Sequence, residues 1–223
     1  MNVLAIIGSP NGMKGNTGRL LSAVLEGAQA GGAQVDVCSL AELDVEPCDG
    51  CSACHRTGRC AIVDDLDAVV DPAAQADAIV LASPNYIFNV SAQTKAFLDR
   101  CCGPLHCQAW HGKYGAAVVT SGGGGGEEVA AYLLRFLRAM GCATVGSIVA
   151  EGRHLAGGPG TAQVMQQAQD LGARLAESVR SRAVFPEQAA ERAAFMVRMR
   201  GLVTMQKDVW PFEYEYWKSH GRL

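Results

Sequence analysis

Four of the nine cysteines stand close together in one short stretch of the chain. Cys48, Cys51, Cys54 and Cys60 have the spacing C-x2-C-x2-C-x5-C, so three thiols fall within seven residues and the fourth follows closely. Thiolates at this density can bind the corners of an iron-sulfur cluster. Structural zinc more often uses two separated C-x-x-C pairs. We expect a [4Fe-4S] cluster, with metal-free structural or redox thiols and zinc as the alternatives.

The remaining cysteines and the histidines have no recognisable ligand spacing. His55 lies inside the cysteine motif and could bind a metal or donate a hydrogen bond to a cluster, but we expect a solvated loop residue. No Ser-His-Asp or Cys-His nucleophilic arrangement is identifiable, so no catalytic acid or base is nominated. The other cysteines are predicted to be packing residues: Cys38, Cys101, Cys102, Cys107 and Cys142.

A loop rich in glycine, hydroxyl and amide groups connects the first apolar run to the first amphipathic stretch. The unpaired N–H groups and the positive end of a helix dipole favour a phosphate at such a position. The loop is neither G-x-G-x-x-G nor a P-loop, so a dinucleotide or nucleoside triphosphate is disfavoured and the monophosphate of FMN fits better. The alternative is that Asn16 or Thr17 only caps the helix. The candidate residues are Ser9, Asn11, Gly15, Asn16 and Thr17.

Two further loops are predicted at the same edge of the sheet, because ligands of doubly wound sheets bind beyond the carboxyl ends of the strands. After the third strand, apolar side chains can contact a flat ring, although core packing is the alternative for Tyr86 or Phe88. After the fourth strand, glycines allow close backbone approach, with a flexible surface linker as the alternative. The candidates are Ser83, Pro84, Asn85, Tyr86, Ile87, Phe88, Ser121, Gly122, Gly123 and Gly124.

Short β-branched or apolar runs alternate with amphipathic stretches until about residue 180, which is typical of βαβ units. Strands are predicted at residues 3–8, 34–40, 78–83, 115–121 and 144–150. Crossover connections between parallel strands are right-handed, which leaves few topologies. We therefore predict an α/β fold with a doubly wound, five-stranded parallel sheet.

A chain of 223 residues is long enough for one well-buried domain with appendages. We assign residues 1–184 to that domain, with the cysteine-rich loop 44–66 inserted, and residues 185–223 to a C-terminal tail. The tail is predicted to form a helix over 187–200, followed by a segment in which five of eight residues are aromatic, from Trp210 to Trp217. So much apolar surface should pack on the core or on another subunit, and we expect a homo-oligomer.

Composition excludes several classes of protein. A hydrophobic fraction of 49% with only 18% charged residues argues against disorder. The net charge of -3 and the absence of a basic run argue against a nucleic-acid partner. Without a leader-like segment or a long apolar run, we expect a cytoplasmic protein with reduced thiols and no membrane contact.

Together these motifs resemble the flavodoxin-like NAD(P)H-dependent FMN reductases over about residues 1–180. The resemblance implies the strand order 2-1-3-4-5 and noncovalent FMN, with its phosphate on Ser9 and residues 15–17. It also implies that the flavin ring lies against residues 83–88, with residues 121–126 on its other side. The motifs are Gly8-Ser9-Pro10 with Gly15-Asn16-Thr17, then Ser83-Pro84-x-Tyr86, and Lys95-x-Phe97-x-Asp99-Arg100.

The spacing of the four cysteines resembles that of the iron-sulfur flavoproteins, a branch of the same family. This resemblance implies that all four are [4Fe-4S] ligands and that the protein forms dimers or tetramers. We expect an oxidoreductase that passes electrons through FMN and the cluster, with NAD(P)H or a redox protein such as reduced ferredoxin as donor. The alternatives are an FMN-only NAD(P)H-dependent flavin or quinone reductase, and a non-enzymatic flavodoxin-like electron carrier or zinc-stabilised binding module.

Overall fold

A parallel sheet of five strands forms the centre of the computed structural model, which describes residues 1–155, 157 and 160–223. The strand order is β2-β1-β3-β4-β5, which confirms the predicted fold class and topology. Every predicted strand boundary lies within one residue of the observed one. The strands are β1 (Asn2–Ile7), β2 (Gln34–Ser39), β3 (Ala78–Pro84), β4 (Tyr114–Ser121) and β5 (Ala143–Glu151).

Helices cover both faces of the sheet, as the alternating apolar pattern of β1 requires. Val3 and Ile7 point to the face covered by α1 and α7, whereas Leu4 and Ile6 point to the face covered by α3, α4 and α6. The helices are α1 (Asn16–Ala30), α2 (Ala53–Thr57), α3 (Asp67–Gln75), α4 (Ala92–Arg100), α5 (Cys102–His106), α6 (Gly126–Ala139), α7 (Thr161–Ser181), α8 (Ala189–Met205) and α9 (Pro211–Ser219).

The backbones of α1 and α7 approach each other unusually closely. A Cβ atom on Gly172 would lie 1.8 Å from the carbonyl oxygen of Val24, so only glycine fits at this crossing. This contact fixes the position of α1, and with it the loop that leads into the helix.

The C-terminal tail is more helical than the sequence predicts. The predicted helix 187–200 is observed as α8 and continues through Gly201 to Met205, because Met199 and Val203 are both buried against the fully buried Trp217. The aromatic segment forms α9, which begins with Pro211 at a position where its missing N–H costs nothing. Helix α9 packs against α2 of the cysteine-rich loop. Among the described helices, none is both long and apolar enough to cross a membrane.

Candidate functional site

The three predicted loops meet at one cavity of about 210 Å³, beyond the carboxyl ends of β1, β3 and β4. The sequence predicts this convergence from the rule that ligands of such sheets bind at the strand switch point. Thr120 and Gly152 were not predicted and also line it. The full lining is Ser9, Asn11, Asn16, Thr17, Pro84, Asn85, Tyr86, Thr120, Ser121, Gly122 and Gly152.

The first loop leaves the N-terminus of α1 without a side-chain cap among the described residues. Gly15 stands at the N-cap position in an extended conformation, so the alternative in which Asn16 or Thr17 caps the helix is wrong. The side chain of Thr17 instead hydrogen-bonds to Thr120, with 2.7 Å between their Oγ1 atoms. The free N–H groups and the dipole of α1 are therefore available to an anion.

The second loop exposes its apolar side chains. Tyr86 and Asn89 exchange backbone hydrogen bonds of 2.8 and 3.1 Å, and the two residues between them have positive φ angles. Ile87 is 90% exposed and Phe88 is 83% exposed, while Tyr86 is about half exposed. Core packing is thus wrong for both Tyr86 and Phe88, and the loop offers apolar surface beside the cavity.

Ser83 lies behind the second loop. Its side chain is fully buried, donates to the carbonyl oxygen of Pro84 at 2.9 Å and accepts from the backbone N–H of Ser91 at 3.0 Å. The hydroxyl of Ser91 in turn donates to the carbonyl of Gly8, which ties the first loop to the second. Ser83 therefore positions the loops and is absent from the cavity lining, as are these other predicted residues: Gly15, Ile87, Phe88, Gly123 and Gly124.

Asn85 joins the second loop to the third. Its backbone N–H donates to the carbonyl of Thr120 at 2.7 Å, and its side-chain amide donates to the carbonyl of Gly124 at 3.1 Å. The Oδ1 atom of Asn85 and the Oγ atom of Ser121 are both buried without a partner among the described residues. Buried polar atoms are normally hydrogen-bonded, so these two atoms fit a polar ligand in the cavity.

The four cysteines of the motif lie in one loop with irregular backbone. Cys48 and Cys51 are exposed, Cys54 and Cys60 are half-buried, and all have free thiols. Left-handed backbone at Gly50 bends the chain between them. In the described part of the chain, no three of these sulfur atoms lie within 4.8 Å of one another. Four thiols in one short loop are a donor set that suits an iron-sulfur cluster.

Arg100 anchors this loop and was not predicted as a site residue, although the sequence motif includes it. The guanidinium group is fully buried; it donates to the Asp64 carboxylate at 2.7 and 3.0 Å and to the Glu46 carbonyl at 2.7 Å. Its Nε donates to the sulfur of Cys60 at 3.1 Å. Burial alone would raise the pKa of Asp64, but hydrogen bonds from Arg100 and two backbone amides outweigh it and hold that pKa below its usual range.

Helix α4 connects the two candidate sites. It begins beside the second loop, where the Ser91 side chain accepts from the backbone N–H of Thr94, and it ends at Arg100 beneath the cysteine loop. Nine residues rise about 13 Å along a helix axis. The cavity and the cysteine loop are thus held at opposite ends of one rigid element.

His55 is a buried residue of α2, so its prediction as a solvated loop residue is wrong. Its Nδ1 atom lies 2.5 Å from Oε1 of Glu213, which is fully buried in α9. The sequence could not indicate this pair because the residues are 158 positions apart.

Most of the cysteines outside the motif pack in the interior, as predicted. Burial raises the pKa of Cys107 and Cys142 to about 12, which is typical of inert core thiols. Cys102 differs, because it is half-buried beside polar groups; its prediction as a packing residue is wrong. A hydrogen bond from its thiol lowers the pKa of Cys54 to about 6.

Comparison with known proteins gives consistent matches. Residues 1–155 match the model of a family described as NADPH-dependent FMN reductase. Over 222 residues, 99% of each chain, the protein is 32% identical to an iron-sulfur flavoprotein of Archaeoglobus fulgidus. Over 100 residues, 45% of this chain and 51% of the relative, it is 40% identical to an iron-sulfur flavoprotein of Methanocaldococcus jannaschii.

Solved structures share the fold. A flavodoxin from the domain Archaea has a TM-score of 0.54 and 20% identity, with 81% of this chain and 99% of that chain covered. An NAD(P)H:quinone oxidoreductase from Methanothermobacter marburgensis has a TM-score of 0.59 and 15% identity, with 78% of this chain and 98% of that chain covered. Identities this low support the architecture alone.

Proposed function

Because this chain belongs to the NADPH-dependent FMN reductase family, in its iron-sulfur flavoprotein branch, we propose that it is an FMN-dependent oxidoreductase whose FMN lies in the three-loop cavity. The observation that carries this placement is the convergence of the three loops on one cavity with two buried, unpartnered polar atoms.

The cavity suggests an orientation for the cofactor. Its phosphate would bind the N-terminus of α1, with Ser9, Asn11, Gly15, Asn16 and Thr17 around it. The flavin ring would lie against residues 83–88, with residues 121–124 on its other side. When bound, FMN supplies hydride and single-electron transfer, while these residues orient the ring and exclude water from it.

We propose a [4Fe-4S] cluster on Cys48, Cys51, Cys54 and Cys60. An all-thiol donor set of four cysteines in one short, irregular loop, without the two separated C-x-x-C pairs of structural zinc sites, supports a cluster over zinc. The buried ion pair of Arg100 with Asp64 helps to shape the loop that carries these cysteines. Metal-free thiols, and with them an FMN-only NAD(P)H-dependent reductase, are the alternative.

The electron donor is either NAD(P)H or a reduced redox protein. Exposed Ile87 and Phe88 beside the cavity would contact the ring of a nicotinamide or the surface of a redox partner. Nine free thiols fit a reducing, cytoplasmic environment. We also propose a homo-oligomer in which the tail contributes to the subunit contact.

Anaerobic purification with ample flavin and iron tests the proposal. We expect one FMN per chain, a brown protein, and about four iron and four sulfide per chain. Cys51→Ser should lose iron and sulfide but retain FMN, whereas the control Cys38→Ser, outside the loop, should retain both. A yellow, iron-free protein that oxidises NADPH would instead establish the FMN-only reductase. A colourless protein that cannot take up FMN would contradict the entire assignment.

A further inference from the structure

A second group of metal-binding side chains lies beside the cysteine motif. One ligand atom from each of His55, Cys102 and His106 lies within 4.8 Å of the other two. The sulfur of Cys102 is 4.0 Å from Nε2 of His55 and 3.9 Å from Nε2 of His106. Cys102 and His106 are four residues apart on one face of α5, and His55 is brought to them by α2.

A single buried carboxylate orients both imidazole rings. Glu213 has no exposed surface; its oxygens lie 2.5 Å from Nδ1 of His55 and 3.1 Å from Nδ1 of His106. The two rings are stacked 5.0 Å apart, and Trp210 covers them. A carboxylate on the far nitrogen of each histidine is the arrangement that fixes ring orientation at protein metal sites.

The three ligand atoms have too few protons to hydrogen-bond fully with one another. An ionised Glu213 can only accept, so the tautomer that satisfies it has the proton of each histidine on Nδ1 and leaves the lone pair on Nε2, the atom that faces the sulfur of Cys102. The single S–H proton of Cys102, for which the Cys54 sulfur also competes, cannot satisfy both nitrogens. A metal ion accepts the lone pairs of both nitrogens and of the thiolate at once.

We propose that His55, Cys102 and His106 form a mononuclear site for a divalent transition metal, with zinc as its preferred ion and Glu213 as the carboxylate that orients the ligands. Zn–N bonds of about 2.0 Å and a Zn–S bond of about 2.3 Å place tetrahedral nitrogen and sulfur ligands about 3.5 Å apart. The observed separations exceed this value by only a few tenths of an ångström. The Cys102 thiolate and the Glu213 carboxylate together balance the two charges of the ion.

The proposed site is distinct from the cluster. Cys102, His106 and Glu213 all lie outside the segment 44–66, and only Cys54 of the four motif cysteines is in hydrogen-bonding distance of Cys102. Water can complete the fourth position, because the Cys54 sulfur is assigned to the cluster. The ion would join α2, α5 and α9, and would thereby fix the cysteine loop and the tail to the core.

Zinc binding to the full-length, FMN-loaded protein tests this proposal. The anaerobic protein is titrated with zinc against a chromophoric chelator, and X-ray absorption at the zinc edge reports the ligands. We expect one zinc per chain with two nitrogens from histidine and a sulfur in its shell. An all-sulfur shell would assign the zinc to the cysteine motif and overturn the proposal, as would failure to retain zinc.

Variants outside the cysteine motif locate the ion. Glu213→Gln should weaken zinc binding about 10- to 100-fold, and His106→Ala should abolish binding at stoichiometric zinc. The control Glu215→Gln, exposed on the same helix, should bind as the unmodified protein does. FMN binding reports folding of each variant. Unchanged zinc affinity in folded His106→Ala would contradict the site, and the zinc-edge spectrum of the unmodified protein decides the question if that variant does not fold.

Discussion

Asn16 stands in the first turn of α1, where the proposed FMN phosphate would lie, and its side chain is exposed. Asn16→Asp should lower FMN affinity about tenfold by repulsion of the phosphate, with no loss of stability, because a negative charge favours a helix N-terminus. Riboflavin, which lacks the phosphate, should bind unchanged. Fluorescence titration of both flavins measures this difference.

Gln29→Glu adds the same charge to the exposed far end of α1 and serves as the control for Asn16→Asp. It should leave FMN affinity unchanged. Equal losses of FMN and riboflavin affinity in Asn16→Asp would show that the phosphate lies elsewhere.

The Asp64 carboxylate is the ion-pair partner of the Arg100 guanidinium group, and both side chains are almost fully buried. Asp64→Asn should lower the free energy of unfolding at neutral pH by about 3–5 kcal/mol, because it leaves a buried cation without its partner. Since the folded pKa of Asp64 is lowered, its stabilisation is complete above the usual aspartate range and is lost as the pH falls through the folded pKa. Denaturation of both proteins between pH 7 and pH 3 measures the effect.

The stability difference between the two proteins should therefore shrink as the pH approaches 3. Asp67→Asn is the control, because it removes an exposed partner of Arg59 and should cost less than about 1 kcal/mol. A stability difference that stays constant down to pH 3 would contradict the role assigned to Asp64.

Some site residues could be predicted from their local sequence, whereas others come together only through the tertiary fold. The cavity residues Ser9, Asn16 and Thr17 lie in the loop after β1 and in the first turn of α1, a position that the general geometry of parallel sheets predicts for ligand-binding residues. Glu213 and His55 meet only because α9 folds back over α2, and no local pattern carries that information. Cys102 and His106 are four residues apart on α5, but this spacing was not recognised as a ligand pattern because the third member, His55, comes from a distant part of the chain.

At the scale of elements, the loop between β3 and α4 stores backbone strain. Ile87 is β-branched and has a φ of 49°, a backbone conformation that is unfavourable for such a residue. Its side chain is almost fully exposed, so no packing in the core compensates for this strain. Such strain is found at ligand sites. Ile87→Gly should therefore raise the free energy of unfolding of the flavin-free protein by about 1 kcal/mol and lower FMN affinity several-fold, as measured by thermal unfolding and flavin titration.

Arg182→Gly provides a matched control for the loop, because Arg182 has a φ of 52° at the C-terminus of α7. It should relieve similar strain without changing FMN affinity. If Ile87→Gly also binds FMN normally, the loop does not contact the flavin.

The elements of the sheet were predictable because each carries its own signal. The central strands β3 and β4 are apolar on both faces, and right-handed crossovers leave few topologies, among which the family resemblance selects the observed order. Helix α8 shows where such signals fail. Its buried residues contact α9 rather than the sheet. The helix was predicted to end at residue 200, just before Gly201, but it continues to Met205 because Val203 packs against Trp217.

At the scale of the whole molecule, one surface of the tail packs on the core of the same chain and the other is exposed. On the packed surface, Trp217 is fully buried and its indole N–H donates to the carbonyl of His106 at 2.9 Å. Deletion of the tail would thus also remove Glu213 from beneath His55. A point substitution on the outer surface is the cleaner test of assembly.

The outer surface of α8 exposes Val197 and Met205, which are 70% and 73% exposed and lie eight residues apart, within one helical stripe. A second copy of the chain would bury this stripe in the proposed oligomer. Val197→Lys should therefore shift the assembly to the monomer in sedimentation equilibrium, because burying an ammonium group at an apolar contact is unfavourable. FMN content should not change, since no residue of α8 lines the cavity.

Gln163→Lys is the control, because Gln163 is exposed on α7 and the substitution adds the same charge away from the stripe. It should leave the mass of the assembly unaltered. An oligomer that persists in Val197→Lys would place the subunit contact on another face.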